Sequence, residues 1–353
     1  MFFRFDTKKL TVAIIGITFI VIAMGGMIRI YDAGESCPDW PTCFGSWSFD
    51  ISSEEQEAWW EENPDEIDSR GEHHRYTTFE IFTEWFHRVL AGVLLGPLIL
   101  VNAYLIRKNE ENGKRSRVAA LVTVGLIIWQ GAIGWLTVEM DNEHWSVAIH
   151  LASALIFQLS LIWLWLSLNR DYETTPDWIN FDPILSSKWK KRIIWLEFGS
   201  FLSLFIGVFV STTPGANFGC GVNGFDSWPL CQGELVTRIE NFELQSQIIH
   251  RWIVAIVGIA MVTMAWLIWK DSNKHQTGKN LRNWIWITVG LYLFNMSIGA
   301  LYITSYAPQT NSFQEWLSLV HLMIGSLTFL ALGTSLLAIY SLEKNRITFE
   351  IIE

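Results

Sequence analysis

The spacing of apolar residues constrains this chain more than any other feature. Only 17% of its 353 residues are charged, whereas soluble domains carry about 25%. Each apolar run is close to the ~20 residues that an α-helix needs to cross a bilayer. We therefore predict an all-α polytopic membrane protein with eight transmembrane helices. The predicted spans cover roughly 10–31, 82–107, 117–138, 145–168, 192–212, 247–270, 282–304 and 316–342.

Charges in the connections predict how the spans are oriented. The connections between spans two and three, before span five, and between spans six and seven are rich in Lys and Arg. The first and third connections are acidic. The positive-inside rule then places both termini in the cytoplasm. We see neither a cleavable signal nor an Arg-rich transit segment, which predicts a multi-pass protein of the plasma (inner) membrane. The net charge of −10 resides largely in a few loops and does not indicate nucleic-acid binding.

An internal repeat divides the chain into two halves. The pattern W-P-x-C-x-G occurs at Trp40–Gly45 and again at Trp228–Gly233, each time before a span that opens with His-Arg. Four spans separate equivalent positions, so the halves have the same orientation. We predict two pseudo-symmetric four-helix bundles. Their ranges are 1–170 and 192–353, with a cytoplasmic linker at 171–191.

Four histidines occupy equivalent places near the start of spans two, four, six and eight. Ionisable groups inside a membrane are costly and usually functional. Facing imidazoles in a helix bundle are a common way to hold haem iron. The alternative is that each histidine is satisfied by a hydrogen bond in a polar helix seam. We favour ligation because the four lie in repeat register, with His87 paired to His150 and His250 paired to His321.

Three arginines lie near the same outer ends. Arg88 and Arg251 directly follow histidines, and Arg29 lies near the end of span one. A guanidinium can grip a haem propionate with two hydrogen bonds. The alternative is snorkelling of the side chain to the membrane surface.

The halves differ three residues before the first histidine of each pair. Glu84 precedes His87, whereas Gln247 precedes His250. The i, i+3 spacing places each on the face of its histidine. A carboxylate can take a proton or stabilise positive charge, whereas an amide can only form hydrogen bonds. This asymmetry predicts chemistry in the first half and a cofactor in the second. The alternative is a solvated glutamate at a helix start.

All four cysteines lie in outer loops, which predicts the disulfides Cys37–Cys43 and Cys220–Cys231. The second is interpreted as a structural staple. The first lies above the proposed reactive site, so both a staple and a catalytic redox role stay open. A zinc site is disfavoured because the spacings are not those of a zinc knuckle.

Taken together, these motifs resemble the haem A synthase family over nearly the whole chain. The matching residues are Gly25-Gly26, Arg29, Glu84 to Arg88, Gln130 to Trp135, His150, His250-Arg251 and His321. The family's first-loop cysteine pair matches Cys37 and Cys43. One departure is a long, acidic, Trp-rich first loop around Trp59-Trp60, whose role the resemblance leaves unassigned.

The resemblance implies an oxidoreductase that converts the C8 methyl group of haem O into a formyl group in two steps, giving haem A for terminal oxidases. It implies that His250 and His321 hold a haem b cofactor, with Arg251 beside it. His87, His150 and Glu84 would form the substrate side. Haem O synthase, terminal oxidase assembly proteins and a membrane electron acceptor or donor are the implied candidate partners. A homo-oligomer stays open.

Two other functions fit the residues without the resemblance. Two bis-histidine haems also suit a b-type electron-transfer protein that oxidises quinol. A parallel repeat is also found in transporters. The Glu84/Gln247 asymmetry favours the enzyme, because electron transfer alone does not require it.

Overall fold

A computed structural model of the chain describes residues 6–65, 70–71, 74–213, 215–222, 224–235 and 242–350. Within these residues, eight helical runs are long and apolar enough to cross a membrane, which confirms the predicted fold class. The helices are α1 (Thr7–Ile30), α2 (Ser53–Glu62), α3 (Thr78–Arg88), α4 (Gly96–Lys108), α5 (Lys114–Glu139), α6 (His144–Asp171), α7 (Pro183–Thr212), α8 (Phe242–His275), α9 (Lys279–Thr304) and α10 (Glu315–Glu350).

The second span is built from three pieces. A π-helical segment, Val89–Leu95, joins α3 to α4, so that Thr78–Lys108 forms one continuous run. The remaining spans are single α-helices. The extreme termini, 1–5 and 351–353, lie outside the described residues, and the predicted cytoplasmic location of both termini stays a prediction.

Helices α7 and α2 depart most from the sequence-based expectation. Helix α7 begins at Pro183, inside the predicted linker 171–191. The Asp182 side chain accepts from the backbone N–H of Leu185, and proline suits the first turn of a helix. Helix α2 lies in the loop after α1, where no helix was predicted. Ser52 and Glu55 form its capping box, and the backbone N–H of Ser52 helps to lower the pKa of Glu55 below its ordinary value.

The chain divides into two compact units, Met1–Trp165 and Leu166–Glu353. The first unit has a core from α1, the second span and α6, where Ile14, Ile99 and Phe157 are each at most 1% exposed. The predicted two-fold relation between the halves stays a prediction.

The second unit has its own core and its own polar ties between helices. Ile298 and Tyr302 of α9 pack with Leu317 of α10. The Tyr292 hydroxyl donates to the carbonyl of Val254 over 2.8 Å, which joins α9 to α8. Because bilayer lipid cannot satisfy polar groups, such bonds help fix how membrane helices pack.

Candidate functional site

Each of the four predicted histidines packs against a glycine of the span that precedes its own. A Cβ atom on that glycine would reach the histidine Cε1, so the missing side chain makes room for the ring. The same arrangement therefore recurs four times and fixes each imidazole against a helix backbone. The Cβ-to-Cε1 distances would be 3.5 Å for Gly25 and His87, 3.2 Å for Gly134 and His150, 3.0 Å for Gly207 and His250, and 2.8 Å for Gly299 and His321.

The sequence interpretation missed one of these glycines, Gly207. Gly25 and Gly134 belong to motifs that carry the family resemblance, and Gly299 is the counterpart of Gly134 in the second half of the repeat. Gly207 and Gly199 are both isolated glycines in α7, and neither lies in a motif that would distinguish it, so the sequence signal is weak. Only the repeat could have identified Gly207, because it lies in the fifth span at the position equivalent to that of Gly25 in the first.

The rings also face the residue one helical turn before each glycine. His321 Nδ1 lies 2.9 Å from the backbone carbonyl oxygen of Asn295. A carbonyl only accepts, so Nδ1 carries the ring proton and Nε2 keeps a free lone pair, the arrangement usual for a metal-binding histidine. The equivalent neighbours are Val21 for His87 and Ser203 for His250, although Nδ1 of these two rings completes no hydrogen bond of regular geometry.

His150 has a different partner, the side-chain amide of Gln130. The Gln130 Nε2 lies 3.2 Å from His150 Nδ1 and donates over 3.0 Å to the backbone carbonyl of His150. The Gln130 Oε1 accepts from the Ser153 hydroxyl over 2.6 Å. Turning the amide over would bring its oxygen against the His150 carbonyl. The amide N–H therefore faces Nδ1, which must accept, and the ring proton of His150 resides on Nε2.

The second histidine pair has the geometry of two ligands on one metal atom. The ring centroids of His250 and His321 lie 6.5 Å apart, and the ring planes meet at 85°. Two imidazoles that each bind a metal at about 2.0–2.1 Å place their centroids about 6 Å apart. A porphyrin supplies four nitrogens and leaves two axial positions, so this pair fits a haem iron.

The first pair lies in the first unit, where His87 and His150 are close enough to interact electrostatically. The carboxylate predicted beside it is in place: Glu84 is only 6% exposed. Arg88 Nε donates to Glu84 Oε1 over 2.9 Å, which forms a buried ion pair. A buried charge is tolerated when it is paired in this way, and the carboxylate is thereby held in one orientation.

Arg88 also ties this carboxylate to the first cysteine loop. Its guanidinium donates to the backbone carbonyls of Asp39, Thr42 and Cys37 at 2.5, 2.9 and 2.8 Å. These bonds connect Glu84 to the loop through a single side chain.

The second unit repeats the arrangement with an amide in place of the acid. Arg251 donates to the carbonyls of Ser227 and Leu230 at 2.6 and 2.9 Å, and to Gln247 Oε1 at 2.8 Å. Ser227 and Leu230 occupy the repeat positions of Asp39 and Thr42. The W-P-x-C-x-G loop is therefore the partner of the arginine in both units.

These contacts describe where the propionate candidates lie. Arg88 and Arg251 engage the loops, and Arg29 forms an ion pair with Asp32 at 3.2 Å. The proposed contact of all three with haem propionates stays a prediction.

Both predicted disulfides are formed, Cys37–Cys43 and Cys220–Cys231. The first is covered by aromatic residues of its own loop. Cys37 is 0% and Cys43 1% exposed, and Phe44 packs edge-on against Trp59 of α2 with ring centroids 5.6 Å apart. The long first loop therefore shields this disulfide from water.

The two histidine-bearing spans differ in backbone form just beyond the histidine. In the first unit the π-helical segment Val89–Leu95 begins directly after Arg88. In the second unit α8 is α-helical throughout Phe242–His275. Short π-helical segments are rare and often lie at functional sites.

The fold and these sites define a polytopic helical membrane protein with two histidine pairs, one of which has the geometry of a bis-histidine haem site. Comparison with known proteins identifies the family. The model of the cytochrome oxidase assembly protein family (COX15-CtaA) matches residues 8–343, and the chain belongs to that family.

Several relatives carry the name heme A synthase. One from Erythrobacter litoralis is 27% identical over 278 residues, covering 71% of this chain and 77% of the relative. One from Flavobacterium psychrophilum is 22% identical, covering 93% of this chain and 95% of the relative. A heme A synthase–mitochondrial ferredoxin fusion protein from Schizosaccharomyces pombe is 27% identical, covering 45% of this chain and 29% of the relative.

Proposed function

We propose that this protein is a haem A synthase, which oxidises the C8 methyl group of haem O to a formyl group in two successive steps and so provides haem A for terminal oxidases. Family membership and the names of the relatives support this reaction. The observation that carries the proposal is the unequal pair of sites. A buried carboxylate, Glu84, accompanies the first histidine pair, whereas the amide of Gln247 accompanies the second.

In this proposal the second unit holds haem b and the first holds the substrate. The spacing of the His250 and His321 rings, which would let both hold one iron atom, supports the assignment of the cofactor. The glycines beside the rings would let each imidazole stay close to the helix backbone. Bound haem b would supply one-electron redox chemistry. His87 and His150 would bind haem O in the first unit.

The role of Glu84 follows from the chemistry of the methyl group. If water supplies the oxygen, each step from methyl to hydroxymethyl to formyl releases two electrons and two protons. A carboxylate beside the reacting carbon can accept a proton and stabilise developing positive charge. Arg88 holds Glu84 in one orientation and compensates its charge within a largely buried ion pair.

His150 would serve as an exchangeable ligand of the substrate. Its ring proton resides on Nε2, so binding a metal there requires that proton to move to Nδ1, where it would face the Gln130 amide N–H. His321 needs no such change, because Nδ1 already donates to a carbonyl. We therefore propose weaker ligation by His150 than by His321, which would leave one axial position of the substrate open to exchange.

The electrons require a carrier. The relative from Schizosaccharomyces pombe is fused to a mitochondrial ferredoxin, and ferredoxins transfer single electrons. This fusion supports a small one-electron carrier as a partner of this protein. We also propose a plasma-membrane location with both termini in the cytoplasm, which reporter fusions after Glu353 would test by their side of the membrane.

The decisive experiment is co-expression with a haem O synthase, followed by chromatography of the extracted haems. We expect haem A, together with the hydroxymethyl intermediate. Purified protein that carries haem b and forms neither product would contradict the proposed reaction and favour an electron-transfer protein. Protein that carries no haem at all would also contradict the assignment of His250 and His321.

A further inference from the structure

A basic cavity lies where α4 turns into α5, far along the chain from the histidines. Its volume is about 290 Å³, and among the described residues its lining holds no carboxylate. Glu110 and Glu111 belong to the turn itself. The lining combines three cations, one amide and two apolar side chains, namely Arg107, Lys114, Arg117, Asn112, Val118 and Leu121.

The inner wall of the cavity consists of side chains that hydrogen bonds hold in place. Asn112 is 2% exposed, and its Nδ2 donates to the carbonyl of Ile106 over 3.0 Å. Arg117 is held by bonds from Nη2 to the carbonyls of Asn109 and Glu110 at 3.2 and 3.4 Å. The Arg117 Nε and Asn112 Oδ1 atoms are buried, and neither has a hydrogen-bond partner within the protein. Buried polar atoms normally have partners: the Arg117 Nε donor suits an anionic oxygen, and the Asn112 Oδ1 acceptor suits a hydroxyl of the same head group, so the two point to a polar ligand.

The outer wall of the cavity is apolar. Val118 is 42% exposed and Leu121 48% exposed, and they lie three residues apart on one face of α5 as it enters the bilayer. A soluble anion would use the cations and leave these side chains without a function. A phospholipid has both a charged phosphate and an acyl chain, and it is present in excess at this depth.

We propose that this cavity binds an anionic phospholipid. Its phosphate would lie between Arg107, Lys114 and Arg117, and its acyl chain would follow Val118 and Leu121 along α5. Basic pockets between membrane helices at the polar boundary are suited to such head groups. The guanidinium groups supply paired donors for phosphate oxygens. The inference does not depend on the proposed reaction.

The test is native mass spectrometry of the full-length purified protein with phosphatidylglycerol or phosphatidylcholine of the same acyl chains. We expect phosphatidylglycerol to be retained and phosphatidylcholine to be lost. The double variant Arg107→Gln/Lys114→Gln should bind phosphatidylglycerol about 30-fold more weakly, because each cation near an anionic head group contributes about fivefold. Both side chains are exposed, so the variant should fold normally.

A matched control removes two exposed cations from the turn between α8 and α9, as Lys274→Gln/Lys279→Gln. This variant should keep the lipid. If both double variants lost phosphatidylglycerol equally, the binding would depend only on general surface charge, and the proposed site would be wrong. Leu121→Ser separates a lipid from a soluble anion: it should weaken phosphatidylglycerol and leave glycerol phosphate unaffected. Displacement of the lipid by millimolar inorganic phosphate alone would overturn the assignment to a lipid.

Discussion

The two units use the same scaffold around their histidines. In each, the arginine after the first histidine donates to two carbonyls of a W-P-x-C-x-G loop, Arg88 in one and Arg251 in the other. In each, both imidazoles pack against a glycine of the preceding span. This shared scaffold is a device for fixing imidazoles, and it does not by itself specify a reaction.

The side chains that contact this scaffold differ between the units in what they can donate or accept. The first unit has the acid Glu84 where the second has Gln247, and it orients His150 with the Gln130 amide where the second orients His321 with a backbone carbonyl. Function in a repeated fold can thus be located by the few places where the repeat is broken.

Removing the cofactor ligands should have the largest effect. His250→Ala or His321→Ala should abolish haem b binding in the second unit, because one axial ligand alone leaves the iron weakly held. His87→Ala and His150→Ala are the matched controls and should keep haem b. The amount of haem b per purified protein, measured by its visible spectrum, distinguishes the two sets. If only the controls lost haem b, the roles of the units would be reversed.

Glu84→Gln converts the first unit to the pattern of the second. Because Arg251 already binds an amide at the equivalent place, the variant should fold and carry haem b. Loss of a positioned proton acceptor typically lowers a rate by about 10²–10⁴, so the ratio of haem A to haem O should fall by at least about 100-fold. Gln247→Glu is the reciprocal control and should keep the activity. Normal haem A yield from Glu84→Gln would remove this residue from the mechanism.

The glycines offer a graded test of the packing. Gly299→Ala would place a Cβ 2.8 Å from the His321 ring, whereas Gly25→Ala would place it at an ordinary 3.5 Å from His87. Overpacking costs about 1–3 kcal/mol, equivalent to about a 5- to 150-fold loss of haem affinity for Gly299→Ala. Gly25→Ala should be nearly neutral. Titration of each variant with haem measures the difference, and equal losses would show that the close contacts are not decisive.

The smallest effect is expected from Gln130→Glu, which as the neutral acid would keep a donor for the His150 carbonyl and offer Nδ1 an acceptor oxygen. The ring proton should move to Nδ1 and make Nε2 a stronger ligand. Partners of metal-binding histidines change affinity by about 10–100-fold, so substrate haem should bind more tightly and turn over more slowly. Spectra of the first site would report the stronger ligation. Asn295→Ala is the control, because it keeps the backbone carbonyl that His321 uses, and its spectrum should be unchanged.

Hydropathy and the repeat were sufficient to predict the eight spans, the histidine register and the two disulfides. Charge, apolarity and repeated motifs can be recognised from the order of residues alone, without knowledge of how the helices pack. The start of α7 could also have been found, because Asp182-Pro183 is a recognisable helix start.

Other features depended on three-dimensional contacts. Gly207 acquires its meaning only from the ring of His250 on the neighbouring helix. Nothing in the order of residues shows that the Arg88 guanidinium turns toward loop carbonyls. The tautomer of His150 depends on which atom of Gln130 faces it, which is a property of the packed side chains. Physical interactions between distant parts of the chain decide all three.

The π-helical segment also determines where the second span can lose a residue. A π turn accommodates one more residue than an α turn, so Val89–Leu95 acts as an insertion absorbed within a helix. Deleting a single residue there would restore an unbroken α-helix without shortening the span below what a bilayer needs. Because the wider turn already absorbs the extra residue, His87 would keep nearly the same direction relative to α4 and stay against Gly25. A deletion within the α-helical part of the span has no wider turn to absorb it, and it would rotate the residues on one side of it by about 100° relative to those on the other.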